Sequence, residues 1–600
     1  MTIALLPERI DVKTFERVPG IAPGILNAGL GSVGPDQTYL DVGQGNRVWG
    51  SLYDRDLPLA FPRGARVPQW EGIVERAESA PADIVPGLLA SSLAEAGFRS
   101  PRGAAIEATR QLSVPALLAA DRGGRIGRLP PGCAVRRCLP PVRVVAASIA
   151  RLGPLIERLR APDLLIAISR PPPLDERQLA VGIAGAGYRG NLTSDSTRLD
   201  GYVLATDLAP TILERFGVEP PSEMSGEPIR SNGAIDADAI AALEDRMAEI
   251  QPRRGPVIGV SLLLWVLATG AAALGLGRRG ARLALPLLAL SVVYLPALLL
   301  LAAVLEPGQG VEWLLVLAGG PALAALTLRA LPRYRALAVA CAVTVLAHAV
   351  DVIAGSPFTP LSLMGPNPGL GARFYGIGNE LEAALTALVV FGTGATVLGF
   401  FPRLSARRSA IAFGAAALVF AIVFAAGRFG ADVGAAIVFP VGGAVAAAVL
   451  LGGRRWSLLL ALATPLLALT ALGAIDLISG GDAHLTRSVL DAGGLDDVAD
   501  LAERRLRLSA RSFGRPTLAP FVFLAVVALG LGAWRREEVL TWLDDDRVRA
   551  GFLGALAAVL VGTLANDSGA LMLQVGVAYL ALFAGAAWAW GPRPSPGADG

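Results

Sequence analysis

From Pro256 onward the chain is a succession of apolar runs of roughly 17 to 24 residues, the length a helix needs to cross a bilayer. No other feature limits the fold as much, because a chain segment in lipid must satisfy its own backbone hydrogen bonds and so becomes a helix. Eleven candidate spans lie near 256–277, 283–305, 312–328, 336–354, 377–400, 409–427, 431–451, 457–479, 517–534, 549–565 and 570–590. They predict an all-α polytopic bundle over 256–590, followed by a disordered tail at 591–600. Residues 1–255 have mixed charge and many Pro and Gly turns, the profile of a soluble domain. This step explains a hydrophobic content of 53%, above the soluble range. A net charge of +3 is too small to imply a nucleic-acid partner.

Within 1–255, apolar runs alternate with helical patterns. Ile3-Ala-Leu-Leu-Pro7 reads as a strand, and Asp163-Leu-Leu-Ile-Ala-Ile168 as a buried one. Residues 84–97 read as a helix stopped by Gly97, and Asp207 to Gly217 as a helix with an acidic N-cap and a glycine stop. The alternation predicts an α/β domain with a mainly parallel sheet. Residues 236–250 form an amphipathic helix that leads through Gln251-Pro-Arg-Arg-Gly255 into the membrane part. Gly185-Ala-Gly-Tyr-Arg-Gly190 matches GxGxxG, but turn formers follow it where a dinucleotide site needs a helix N-terminus. Lys13 is the one lysine, so a Walker A loop is excluded. Cys133 and Cys138 form either a short-loop disulfide, if the domain is exported, or two thiols.

Asp207-Leu-Ala-Pro-Thr-Ile-Leu-Glu-Arg-Phe-Gly-Val218, with Pro220-Pro221 and Ser225-Gly226-Glu-Pro-Ile229, resembles the C-terminal segment of alkaline-phosphatase-superfamily domains such as sulfatases and phosphoglycerate mutases. That resemblance implies Asp and His ligands for two metal ions and a Ser or Thr nucleophile, for which Thr38 is the candidate. The only histidines are His348 and His484, and Glu8 stands after the first strand. A two-zinc site therefore cannot be built, and a degenerate, non-catalytic domain is expected, with no metal and no identified cofactor.

Arginines in every second short loop (278–282, 329–335, 403–408, 454–455 and 535–536) predict that those loops are cytoplasmic. Eleven spans then leave the C-terminus inside and the α/β domain outside the bacterial cytoplasmic membrane. An exported domain of this size requires a signal or anchor, so a segment upstream of Met1 is expected.

On the outer face this topology gathers four polar motifs. The loop before the fifth span supplies Arg373, Tyr375, Asn379 and Glu380, with Glu382 just inside. The other three supply Arg428 and Asp432, His484 and Arg487, and Asn566, Asp567 and Ser568. Ionisable groups at membrane depth are expensive unless they line a cavity or meet a partner. Glu380, Asp432, Asp567 and His484 are the candidates for proton transfer. Arg373, Tyr375, Asn379, Arg428, Arg487, Asn566 and Ser568 are the candidates for binding a substrate. Asp432 and Asp567 could equally cap helices, and His348 could pair with Asp351. Residues 496–513 have the spacing of a helix that either lies on the membrane surface or is a solvated loop helix covering the bundle. Together the RFYGIGNE, GADVG, AHLTR and NDSG elements resemble a group of bacterial polytopic membrane proteins with an alkaline-phosphatase-like region.

Three functions fit. The first is a membrane-embedded transferase acting on a lipid-linked, phosphate-bearing envelope precursor. The second is a proton- or cation-coupled transporter or flippase. The third is an envelope scaffold with a pseudo-phosphatase domain. Membrane lipids are the partners common to all.

Overall fold

The computed structural model describes residues 1–31, 33–58, 62–129, 140–172, 178–427, 429–430, 432–453, 459, 463–464, 467, 509–566 and 568–591. The chain divides into two compact units. One comprises Met1–Glu249 with Asn367–Phe374, and the other Ile250–Pro366 with Tyr375–Gly600.

The first unit is an α/β fold. Its sheet contains β1 (Thr2–Glu8), β2 (Ala22–Asn27), β3 (Ile106–Thr109), β4 (Gly127–Leu129), β5 (Val142–Ala146), β6 (Leu164–Arg170), β7 (Gln178–Gly185) and β9 (Tyr202–Leu204), in the order β4-β3-β5-β1-β6-β7-β2-β9. All neighbours are parallel except β7, which runs against both β6 and β2. The connection from β6 to β7 is too short for a crossover, which forces that reversal. β8 (Asn191–Thr193) and β10 (Arg230–Asn232) form a separate antiparallel pair. β1 and β6 are nearly continuous apolar runs, as strands covered on both faces require.

Five helices belong to this unit, α1 (Pro35–Gln44), α2 (Trp70–Glu78), α3 (Leu88–Glu95), α4 (Leu152–Ile156) and α5 (Leu208–Arg215), and α6 (Ala237–Arg254) begins in it and continues past its last residue before the loop, Glu249. α3 is shorter than the expected 84–97, because Gly87 at φ +80 ends the preceding turn. Asp207 does not cap α5 with its side chain. It turns back into the core and accepts hydrogen bonds from Ser194 Oγ (2.6 Å), Ser196 Oγ (2.7 Å) and the backbone N–H groups of Leu204 and Glu227. The DLAPTIL stretch thus ties α5 to two loops. Residues 186–190 join β7 to β8 with no helix after them, so the GxGxxG match has no helix dipole to offer a phosphate. Cys133 and Cys138 lie outside the described residues.

The second unit is helical: α7 (Val260–Leu305), α8 (Gln309–Ala330), α9 (Arg333–Ile353), α10 (Asn379–Phe400), α11 (Ala406–Ala425), α12 (Ala435–Leu450), α13 (Ala519–Trp534), α14 (Arg536–Trp542), α15 (Asp546–Ala565) and α16 (Gly569–Trp590). Among the described residues seven helices are long and apolar enough to cross a membrane, or eight if α13 and α14, bent by 85°, make one broken span. Their outward apolar side chains, including Leu263, Leu267, Phe521 and Phe523, suit lipid rather than water.

Three features separate this count from eleven. The run 457–479 lies largely outside the described residues, and α12 has only 16 residues. The expected spans 256–277 and 283–305 are joined in one helical stretch, broken at Gly277 (φ 57°, ψ −145°). The two halves of α7 flank α8. Trp265 donates from Nε1 to Leu317 O (3.0 Å), and a Cβ at Gly320 would meet the Trp265 ring at 2.8 Å and Ser291 O at 3.4 Å.

Candidate functional site

α10 begins where Gly376-Ile-Gly378 can no longer extend the preceding loop. The Glu382 N–H donates to Gly378 O (2.8 Å), which starts the helical ladder. Two carboxylates, Glu380 and Glu382, fall in its first turn, where the helix dipole favours negative charge. Residues two apart on a helix point about 200° apart, so the two face different surroundings.

Glu382 points into the helical unit and has no exposed surface. Asn566 Nδ2 donates to Glu382 Oε2 at 2.6 Å. Asn566 is the residue that ends α15, and its own Oδ1 accepts from the Ser568 N–H (3.0 Å), which fixes the amide so that its NH₂ faces the carboxylate. The third contributor is the turn before α12. A Cβ at Gly434 would sit 2.3 Å from Glu382 Oε1, so the backbone approaches the carboxylate as closely as only glycine allows. Asp432, nearly fully buried, accepts from the Gly434 N–H (3.0 Å) and donates its own N–H to Phe424 O (3.0 Å), holding that turn.

Thus the turns carrying Asp432 and Asn566 do converge, but on Glu382 rather than on Glu380. Asp432 acts through the turn and does not cap α12, whose N-cap is Gly434 with no side-chain bond. Ser568 contributes its backbone N–H to Asn566. Glu380 lies on the other side of α10, with its Oε1 3.9 Å from Arg254 Nη1. Asn379 is the first residue of α10 and, like Tyr375, is half-buried. Arg373 belongs to the first unit, in the segment Asn367–Phe374. Arg428, His484, Arg487 and Asp567 lie outside the described residues, as does most of the 496–513 stretch.

His348 and Asp351 do not pair by hydrogen bond. The Nδ1 of His348 lies 3.0 Å from Thr344 O and so carries the proton, while the Asp351 oxygens accept from the N–H groups of Phe358 (3.2 Å) and Thr359 (2.8 Å).

The sequence reading missed two arginines, Arg253 and Arg254, by treating them as linker. Arg253 Nη1 bonds Glu312 Oε2 (3.0 Å), both side chains being buried, and also Pro307 O (3.0 Å). Arg254 donates to Gly365 O and faces Glu380. Their signal was position alone: two permanent cations directly before the first apolar run.

No family model, curated protein or solved structure matches the chain. Its chemistry must therefore be read from these contacts. A buried carboxylate beside a fixed amide can hold or release a proton. Among the described residues no group of three or more His, Cys, Asp or Glu gathers to hold a metal ion.

In the first unit Thr38 lies on α1 and donates its hydroxyl to Gly34 O (3.3 Å), buried against its own helix. One turn on, Asp41 is buried with Oδ1 accepting from Gln37 Nε2 (2.7 Å) and Gln44 Nε2 (2.9 Å). Burial pushes its carboxyl up to about 7, against the pull of the Gln37 hydrogen bond and of Arg47 and Arg76. A folded value above the unfolded one means that Asp41 stabilises fully below about pH 4 and loses that contribution as pH rises through about 7. The swing is of order 4 kcal/mol at ~1.4 kcal/mol per unit. Thermal melts of the full chain from pH 5 to 8 should therefore fall more steeply for the natural protein than for Asp41→Asn. Parallel curves would contradict this.

Proposed function

We propose that the protein is a multi-pass membrane enzyme of transferase type, which acts on a lipid-linked, phosphate-bearing substrate at head-group depth. The supporting observation is the depth of the Glu382–Asn566 pair. Glu382 is in the first turn of a 22-residue helix, Asn566 directly follows the last turn of another, and Gly434 directly precedes a third. A 22-residue helix is about 33 Å long, close to the ~30 Å hydrocarbon layer, so its first turn lies at the interface. Phosphates and the first sugars of lipid-linked precursors lie at that level, whereas transporter sites lie near the midplane.

In this reading Glu382 is the general base that takes the proton of an acceptor hydroxyl, and Asn566 orients it. Arg254, beside Glu380, supplies a guanidinium for the phosphate, with Arg428 and Arg487 as further candidates. The remaining features follow the sequence expectations: about eleven spans, a bacterial cytoplasmic membrane, and a degenerate alkaline-phosphatase-like domain outside.

A second reading, a proton-coupled transporter or flippase, draws on the enclosure of Glu382. A carboxylate with no exposed surface, bonded to the Asn566 amide, suits reversible protonation. The test is Glu382→Gln in cells that overproduce the protein, with lipid-linked species followed by mass spectrometry. The transferase reading expects product formation to drop about 10²–10⁴-fold, the usual worth of a general base, with the melting temperature unchanged. An unaltered lipid pool together with lost gradient-driven uptake would replace it with the transporter. Full activity in both assays would leave a scaffold.

A further inference from the structure

A groove of about 470 Å³ opens on the first unit, running along β5 from Arg143 near its start to Ala147 just past its end. Thr109 ends β3, Ala146 ends β5, and the groove continues along α4 and the residues after it. Its polar lining is Arg143, Arg151, Arg158, Thr109 and Gln111, with no acidic residue among them. Val145 and Leu155 contribute apolar surface.

Three guanidinium groups around one groove repel each other. Among the described residues none of them makes an ion pair. Arg143 is half-buried and held in place, because its Nε donates to Thr2 Oγ1 at 2.7 Å. Its two terminal nitrogens remain as a fork. Burial lowers the Arg143 pKa, which the Asp163 carboxylate partly opposes. A positioned, partly desolvated arginine that makes no direct ion pair favours an anion bound at its free edge.

The geometry points to a binding site for a phosphate monoester in this groove, with Arg143 as the fixed fork and Arg151 and Arg158 as the closing cations. The volume admits a small organic phosphate, and the apolar surface takes its carbon body. The same chemistry occurs in a soluble phosphate ester and in the head group of a phosphatidic acid. This site is separate from Glu382 and does not depend on the proposed reaction.

The test is calorimetric titration of the full chain in neutral detergent, at low salt, with glycerol phosphate and with short-chain phosphatidic acid. Arg151→Ala/Arg158→Ala changes two exposed side chains and should leave the fold intact. Arg160→Ala, exposed and outside the groove, is the control. The expected result is saturable binding that weakens at least tenfold in the double variant and not in the control. If only the lipid binds, with the same dependence on the arginines, the ligand is the membrane head group. Absence of binding to both probes, or equal affinity in the double variant, overturns the assignment.

Discussion

Gly376→Ala should destabilise the helical unit by about 2–5 kcal/mol, the sum of ~1–2 for a left-handed alanine and ~1–3 for forced overlap in a packed region. Gly376 has φ +74°, and a Cβ there would lie 1.9 Å from Gly430 O. The obstacle is backbone, so no rotamer change relieves it. Nor can the loop simply retreat, because the Gly376 N–H donates to Ser356 Oγ (3.0 Å). Gly430 is equally fixed, with a Cβ there meeting Phe424 O at 2.2 Å. Separating these two backbones would draw the Asp432–Gly434 turn away from Glu382, so stability and the proposed activity should fall together. Gly414→Ala is the comparison, being exposed on α11 with open space around it. It should be neutral or stabilising by up to ~1 kcal/mol. Thermal melts of the purified variants measure both. Equal melting temperatures for Gly376→Ala and the natural protein would refute the packing described for this loop.

Arg47→Met should cost the α/β unit about 2–6 kcal/mol, because two acceptors lose their donor and each stranded polar group costs ~1–3 kcal/mol. Arg47 Nη1 bonds Asn27 Oδ1 (2.6 Å) and Nη2 bonds Gly371 O (2.8 Å), while its guanidinium lies 5.8 Å from the centre of the Phe374 ring. Asn27, fully buried at the end of β2, donates to Tyr202 OH (3.0 Å), which donates to Pro368 O (3.2 Å). Gly31 N–H adds a bond to Leu370 O at 3.4 Å. Arg47 is thus the central member of a network that holds residues 367–374 against the carboxyl end of β2. Methionine keeps the volume and removes the donors. Trypsin offers a direct readout, since Arg373 lies in the held segment. Cleavage there should accelerate markedly in Arg47→Met, and an unchanged cleavage rate would show that the network does not hold the segment.

Much of the helical architecture was legible because lipid-length apolar runs are a property of composition. The helix boundaries of α8, α9 and α10 fall within a few residues of those expected. The strand reading of residues 3–7 and 163–168 held for the same reason, since buried parallel strands are continuous apolar runs. The site was only half legible. Glycine and Asx-rich turns at 432–434 and 566–568 announce helix breaks, but α10 is apolar on every side and offers no polar face to orient it. Pattern alone could not tell that Glu382, and not Glu380, points inward. The membership of Asn367-Pro-Gly-Leu-Gly-Ala-Arg-Phe374 in the sheet unit had no periodic signal at all. It depends on contacts such as Arg47 to Gly371, 324 residues apart in the chain.

That returning segment carries a parity rule. A compact unit stays on one side of a bilayer, and this one is left at Glu249 and re-entered at Asn367. If the apolar helices are crossings, those between the two points must be even in number. Taken as unbroken rods, α7, α8 and α9 make three, which would strand the segment on the wrong side. Divided at Gly277, they make four. One glycine with non-helical backbone angles is then what makes the number of crossings even.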